Sequence, residues 1–444
     1  MLLASGSNSH GQLGNGSADD AHRFTTCQFA GCEPGQLPAH TRRIRQIVCG
    51  AKHTLLLLER VDQTGDSTSE RIELWGCGDG TNEKLGLGFK DGSLARMDPE
   101  SSSNSNAFQS WEFSVVDMAL QLQLAGYGCR LIAAGFETSY VVLSPTTISG
   151  PDVVVSMGSN DLGALGAGFD TPAGSHIVSF DTVLADAATL RVHSLFAGPR
   201  HVVAEVSSAQ DTRLLVSWGA CRHGQLGAAT VSAYATPHVL RFPVDITVDL
   251  ATDSIRSCAL GEQHTVFLFE SGRIVGLGSN RRGQLLGIDT GVSAAAVGCT
   301  WKGTYLLTSA GDTRSPRVLA TGSNSHGQLG RSESEEGLQP VEFALATNQQ
   351  FDTLVCGSEH ALALTSFHPT LNADIEVHHK PSLSPSTQLW GWGWNEHGNL
   401  GLGNTRDVTI PTKIWPPSLS NDHDDSPHVS GLWAGCGTTW IAVS

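Results

Sequence analysis

The nine residues GSNSHGQLG occur twice, starting at Gly6 and again at Gly322. A verbatim copy within one chain marks a repeated structural unit, and internal repetition constrains a fold more tightly than composition does. Variants of the motif occur seven times: residues 5–16, 75–88, 157–168, 218–229, 277–287, 321–331 and 392–403. A second motif reads apolar-apolar-x-Gly-x-x-His/Thr and is followed by alternating apolar residues. It also occurs seven times: residues 47–58, 132–143, 195–206, 258–269, 296–307, 354–364 and 432–443. Two unrelated motifs with one count imply seven units.

Each motif has a physical reading. The apolar residues before Gly form a short buried strand. The Gly-x-x-His turn reverses the chain, and its Gly either takes φ > 0 or lies where a Cβ would clash with the next unit. In HTVFLFESGRIVGLGSN (264–280), Ser271-Gly272 is a hairpin signal between two strands. Asn of GSN can hold a turn by bonding nearby amides. Leu of GQLG (Leu13, Leu226, Leu329, Leu400) is the plug that enters the core. Each unit is then an antiparallel sheet of roughly four strands that cannot bury both faces alone. Seven around an axis can, so the expected fold is an all-β seven-bladed propeller of about 63 residues per unit.

The ends of the chain complement each other. Leu2–Ser5 opens directly into GSN and corresponds to a third strand, whereas TTWIAVS (438–444) ends on a second strand. Leu2–Ser5 should therefore pair antiparallel with Trp440–Val443 and close the ring. The segments 59–73, 89–110, 366–388 and 417–428 interrupt the repeat and read as exposed loop insertions in one propeller spanning residues 1–444. Asp422–Asp425 reads as a solvated acidic stretch or a cation site.

Both turn types follow strands running in one direction, so they share a face, the Gly-x-x-His turns near the axis and the GSN turns further out. The inner rim carries His53, Glu137, Arg200, His201, His264, Glu359 and His360. Each His either fixes its turn or offers a contact. The fifth unit departs from the pattern: GCTWKG (298–303) puts Trp301 and Lys302 at the channel rim. A rim Trp either caps the core or anchors a partner.

Several function classes have no support. The formal net charge of −16 disfavours general nucleic-acid binding. Arg42, Arg43 and Arg45 read as a solvated strand end. No G-x-S-x-G, H-E-x-x-H or P-loop motif is present, so neither an enzyme nor a cofactor site is expected. GLGSNRRGQLLG (276–287) resembles a nucleotide loop only superficially, because its siblings are blade turns. The ten Cys are spaced singly, Cys27 and Cys32 being the nearest pair, and read as reduced thiols in a cytoplasmic or nuclear protein.

The two motifs resemble the regulator of chromosome condensation repeat family across all seven units. The resemblance implies a seven-bladed propeller, and the founding member is a guanine-nucleotide exchange factor for the small GTPase Ran. CTWKGTYLL (299–307), LWGWGWNEHGN (389–399) and GCGTTWIAV (435–443) are similar to the fungal alpha-tubulin suppressor, or killer-toxin insensitivity, propellers of that family. That narrower resemblance implies a non-enzymatic partner of a small CSL-type zinc protein, which carries electrons for diphthamide synthesis and supports Elongator-dependent tRNA wobble-uridine modification. Trp301 and Lys302 would then contact the partner, with His264, Glu359 and His360 nearby. The alternative implied by the broader resemblance is nucleotide exchange on a Ran-type GTPase; a scaffold in membrane traffic or ubiquitin pathways is a third.

Overall fold

The computed structural model describes residues 1–444 except 65–66, 87–108, 211–212, 228–230, 244–245, 290, 310–315, 333–335, 347, 368–386 and 418–427, and the side chains of 62–64, 67–69 and 109. The chain forms seven antiparallel sheets arranged as a β-propeller. Blade 1 comprises Thr41–Cys49, His53–Thr64, Ser67–Asp79 and Gln109–Val115. Blade 2 comprises Tyr127–Ala134, Thr138–Pro145, Val153–Gly158 and Gly174–Ile177. Blade 3 comprises Arg191–Ala197, His201–Ser207, Leu214–Ala220 and Ala233–Val239. Blade 4 has Ile255–Leu260, His264–Phe269 and Ile274–Gly278. Blade 5 has Ala294–Thr300, Gly303–Thr308, Val318–Gly322 and the short Gln339–Pro340. Blade 6 has Gln349–Cys356, His360–Phe367, Thr387–Gly393 and Val408–Trp415. Among the described residues blade 4 has three strands rather than the expected four, few residues separating its GQLLG turn from the first strand of blade 5.

Blade 7 is built from both ends of the chain, in the order Ala21–Thr26, Leu2–Gly6, Thr438–Val443, Val429–Ala434. The closing register pairs Leu2 with Ala442, Ala4 with Trp440 and Ser5 with Thr439. Ring closure by these strands is therefore as the sequence implies.

The repeated residues act locally as chemistry dictates. The side-chain oxygens of Asn8, Asn160, Asn280, Asn324 and Asn395 each accept the N–H of the Leu five residues on. That bond folds the turn and directs the Leu inward: Leu13, Leu165, Leu329 and Leu400 are buried, and Leu226 is buried as well although Cys221 stands in place of its Asn. The hairpin at Ser271-Gly272 is present, with Gly272 at φ +84°.

Positive φ falls elsewhere than on the Gly of Gly-x-x-His. It belongs to the Gly that ends every third strand: Gly6, Gly78, Gly158, Gly219, Gly278, Gly322 and Gly393, at φ between +92° and +120°. A Cβ there would lie 2.1–2.6 Å from the carbonyl oxygen of the residue before the His position, so Gly is required on both conformational and steric grounds. The Gly of Gly-x-x-His serves close approach instead; a Cβ on Gly50 would lie 2.7 Å from the Gly135 carbonyl of the next blade.

One insertion differs from its sequence reading. Residues 59–73 are a paired β-ribbon rather than a loop, with Glu59 opposite Ile72 and Thr64 opposite Ser67. The Arg cluster at its base is also paired: buried Glu59 lies 2.9 Å from Arg43, 3.2 Å from Arg42 and 3.7 Å from Arg45. Segments 89–110, 366–388 and 417–428, with Asp422–Asp425, lie largely or wholly outside the described residues.

Candidate functional site: the turn face of the propeller

One backbone bond recurs in every blade. The residue after the third-strand Gly donates its N–H to the carbonyl before the His position: Ser7 to Gly437, Asp79 to Lys52, Ser159 to Glu137, Ala220 to Arg200, Ser279 to Gln263, Ser323 to Lys302 and Trp394 to Glu359, all at 2.8–2.9 Å. Seven identical bonds place the Gly-x-x-His and GSN turns side by side on one face. A second set joins neighbouring blades around the axis. The N–H of Ala51 donates to the Phe136 carbonyl, Phe136 to Pro199, Glu262 to Trp301, Trp301 to Ser358 and Ser358 to Gly435, at 2.7–3.1 Å. Pro199 has no N–H to extend the ring to Glu262. The inner rim is thus stitched backbone to backbone and gives a rigid platform.

Below the rim runs a central channel with a cavity of about 470 Å³, lined by the first strands of all seven blades. Cys49, Cys258, Cys299, Cys356 and Cys436, evenly scattered in the sequence, share its wall. Burial pushes these thiols up, Cys299 to about 12 and Cys436 to about 11, so they are protonated small apolar residues. All ten cysteines are free. Among the described residues no group of three or more His, Cys, Asp or Glu is placed to hold a metal ion.

Trp301 is half-buried over the channel mouth. Its ring meets that of Phe136, from blade 2, edge to face with centroids 6.0 Å apart. It also lines a cleft of about 210 Å³ between blades 4 and 5, with Lys302, Glu262, Arg281 and Arg282. Trp301 and Lys302, both half-buried, therefore lie at the channel rim where the sequence places them.

His264 and His360 do not. Both are 0% exposed, as are His53 and His201. Each imidazole Nε2 hydrogen-bonds a hydroxyl of the next blade: His53 with Ser139 at 2.7 Å, His201 with Thr265 at 2.9 Å, His264 with Thr304 at 3.1 Å and His360 with Thr439 at 3.1 Å. They are pins between blades, out of reach of a docking surface. Burial lowers His53 and His201 to about 3 and His264 and His360 to about 4.

Glu359 is half-buried and accepts Gln328 Nε2 at 2.8 Å from blade 5. Burial raises its carboxyl, against the bond from Gln328 and the charge of Lys302. Glu137 is its counterpart in blade 2, where buried Lys84 replaces the Gln. Lys84 Nζ lies 2.6 Å from Glu137 Oε2 and 2.7 Å from Asp79 Oδ2. Burial of Asp79 opposes its ionisation, but its bonds from Lys84 and Thr81 outweigh this and hold the carboxyl below its usual range. Lys84→Met should cost about 3 kcal/mol, because a buried carboxylate is stranded. The contribution from Asp79 is present above the ordinary carboxylate pKa and is lost as the pH falls through its lowered value. The double change Asp79→Ser with Lys84→Gln installs the pair found at Ser323 and Gln328 and should recover most of the loss. Urea unfolding checks both, and full stability of Lys84→Met alone would contradict the ion network.

Sequence reasoning missed Phe136, Arg281 and Arg282, whose importance lies in their convergence on Trp301. It also missed Trp394, which stands where most other units have Ser. Its ring contacts His397 at 5.2 Å and His326 at 6.4 Å. Those two His pair with aspartates of the next blade, His326 with Asp407 at 2.8 Å and His397 with Asp20 at 2.6 Å.

The fold and this face define a class: a seven-bladed repeat propeller whose turns form one continuous platform. The family model for the regulator of chromosome condensation repeat matches residues 1–57 and 387–438, the two ends that build blade 7 and the segments beside it. The ultraviolet-B receptor UVR8 of Arabidopsis thaliana is 25% identical over 238 residues, covering 51% of this chain and 46% of the receptor, less than half that relative's length. The secretion-regulating guanine nucleotide exchange factor of Bos taurus is 26% identical over 460 residues, covering 98% of this chain and 81% of that protein. The crystal structure of human WBSCR16 has the same fold, with a TM-score of 0.65 at 18% identity over 100% of this chain and 98% of that one.

Proposed function

We propose that this propeller is a non-enzymatic protein-binding module that docks a small GTPase of the Ran type on its turn face and promotes nucleotide exchange. The observation that carries this reading is the whole-length similarity to the bovine exchange factor, which spans 98% of the chain rather than a few blades. The platform suits the task physically. Exchange makes and breaks no covalent bond; the factor need only bind the nucleotide-free GTPase better than the loaded one. A rim tied by backbone bonds loses little freedom on binding, and Trp301 with Lys302 offers an aromatic anchor beside a charge.

The test is release of fluorescent GDP from purified small GTPases, Ran first, with the pure chain added. Release should accelerate at least about tenfold, and Trp301→Ala should reduce that gain by roughly thirtyfold in GTPase affinity, as loss of a hot spot does, with the melting curve nearly unchanged. Unaltered release across a GTPase panel would overturn the proposal.

A second reading is favoured by one observation: CTWKGTYLL, LWGWGWNEHGN and GCGTTWIAV bring Trp301, Trp394 and Cys436 to the same face. Its partner is the small CSL-type zinc protein, and its role is support of diphthamide synthesis and of Elongator-dependent tRNA modification. Co-elution of the purified chain with either the zinc protein or the GTPase separates the two.

A further inference from the structure

The turn face is electrically divided. In blades 3–5 it carries Arg200, Arg222, Arg281 and Arg282, all exposed, and half-buried Lys302. None of these side chains has an ion-pair partner among the described residues, and Glu262 is the acidic residue set among them at the cleft. The remaining blades show the opposite arrangement. There Lys84 is consumed by Asp79 and Glu137 and His397 by Asp20, and Glu359 and Glu396 add negative charge. Half-buried Lys52 is the one lysine of the turn face outside the sector that no ion pair engages among the described residues. At the border His326 of blade 5 meets Asp407 of blade 6. A basic sector thus stands on a chain whose formal net charge is −16. Cations without partners repel one another and contribute nothing to folding, so their concentration around a cleft is the signature of a surface awaiting an anionic one.

We propose that the cleft between blades 4 and 5 and the basic sector around it bind an acidic segment of a protein partner, its carboxylates meeting Arg281, Arg282 and Lys302 and its chain lying against the Trp301 ring. A guanidinium binds carboxylate in a two-pronged geometry, and the cleft of about 210 Å³ admits side chains rather than a folded domain. The acidic blades opposite repel such a segment and confine it to this sector, which fixes the partner's orientation as well as its site. A nucleic acid brings a long phosphate chain that those same acidic blades oppose. The inference rests on the turn face being the docking face but not on the identity of the partner.

The test uses the full chain and a short fluorescein-labelled Glu-rich peptide, with its all-Gln counterpart, read by anisotropy at low and physiological ionic strength. The Glu peptide should bind and weaken with salt, and the Gln peptide should bind at least about tenfold more weakly. Arg281→Glu with Arg282→Glu should lower affinity for the Glu peptide by roughly tenfold or more. Arg317→Glu, exposed at the opposite end of blade 5, should leave it unchanged. No binding of the Glu peptide, equal binding of the two peptides, or an unaffected double variant would each overturn the proposal. So would displacement by a single-stranded oligonucleotide of equal charge at the same concentration. The measurement contains no GTPase, so failed exchange with intact peptide binding would remove the proposed function and leave this site standing.

Discussion

Removal of Met1–Gly6 is expected to abolish cooperative melting of the propeller. Leu2, Leu3, Ala4 and Ser5 are all at most 7% exposed, and they form the third strand of blade 7 between Ala21–Thr26 and Thr438–Val443. Losing two buried leucines, an alanine and a two-sided ladder costs on the order of 10 kcal/mol, comparable to the whole stability of a folded domain. Ala21–Thr26 would lose its strand partner, and Thr438–Val443 would become a bare edge prone to pairing with other chains. A circular permutant provides the control. The Met1 amino group donates to the Val443 carbonyl at 2.8 Å, so a short linker can join the ends while new ends are cut elsewhere. The truncated chain should aggregate or lose its thermal transition, and the permutant should keep it. Equal melting curves for the truncated and full chains, with Thr438–Val443 amides still protected from exchange, would show that closure does not depend on this strand.

What was legible in the sequence is what repetition forces. Five copies of Asn-to-Leu spacing encode a bond between a side-chain oxygen and an amide, and that bond predicts both the turn and the inward leucine. Ring closure was legible because a strand type missing at one end was present at the other. The roles of individual rim residues were less so, because a motif read along one unit hides its neighbour. The His are the clearest case. A unit with His53, His201, His264 or His360 is followed by a unit with Ser139, Thr265, Thr304 or Thr439 one place further along. Units with Thr138 or Gly303 at the His position are followed by Val202 or Ala361. Unit 7 is the exception, since Thr438 is followed around the ring by Thr54, whose hydroxyl donates to the Gln12 carbonyl instead. In the other six, comparing each unit with its successor shows the His pointing between blades. No such rule yields the Phe136–Trp301 contact or the basic sector. Those arise where blades that are distant in the chain share a face, and a single unit carries no trace of them.

The same four His make stability depend steeply on acid. In the unfolded chain each titrates near 6.5; in the fold burial holds His53 and His201 at about 3 and His264 and His360 at about 4. The charges facing them alter this little. Lys84 lowers His53 further while Asp79 opposes it, His264 lowers His201 slightly, and backbone bonds at Gly303 and Thr438 raise His264 and His360. A folded-state pKa below the unfolded one means that the unfolded chain binds more protons, so stability rises with pH. The contribution is complete above about 6.5 and is lost progressively as the pH falls toward about 4 to 3. At pH 5 each imidazole withdraws about 2 kcal/mol, and four together approach the stability of a typical domain. Melting temperature should therefore be flat above neutrality and fall sharply between pH 6.5 and 4, before most carboxylates protonate. His201→Thr, which installs the residue found at Thr138 and Thr438, removes one titrating group at the cost of one pin. Its melting temperature should be lower at pH 7.5 and should approach that of the unaltered chain at pH 5. A parallel pH profile for the two chains, or a profile that stays flat to pH 4.5, would mean that the imidazoles are charged in the fold and do not act as neutral pins.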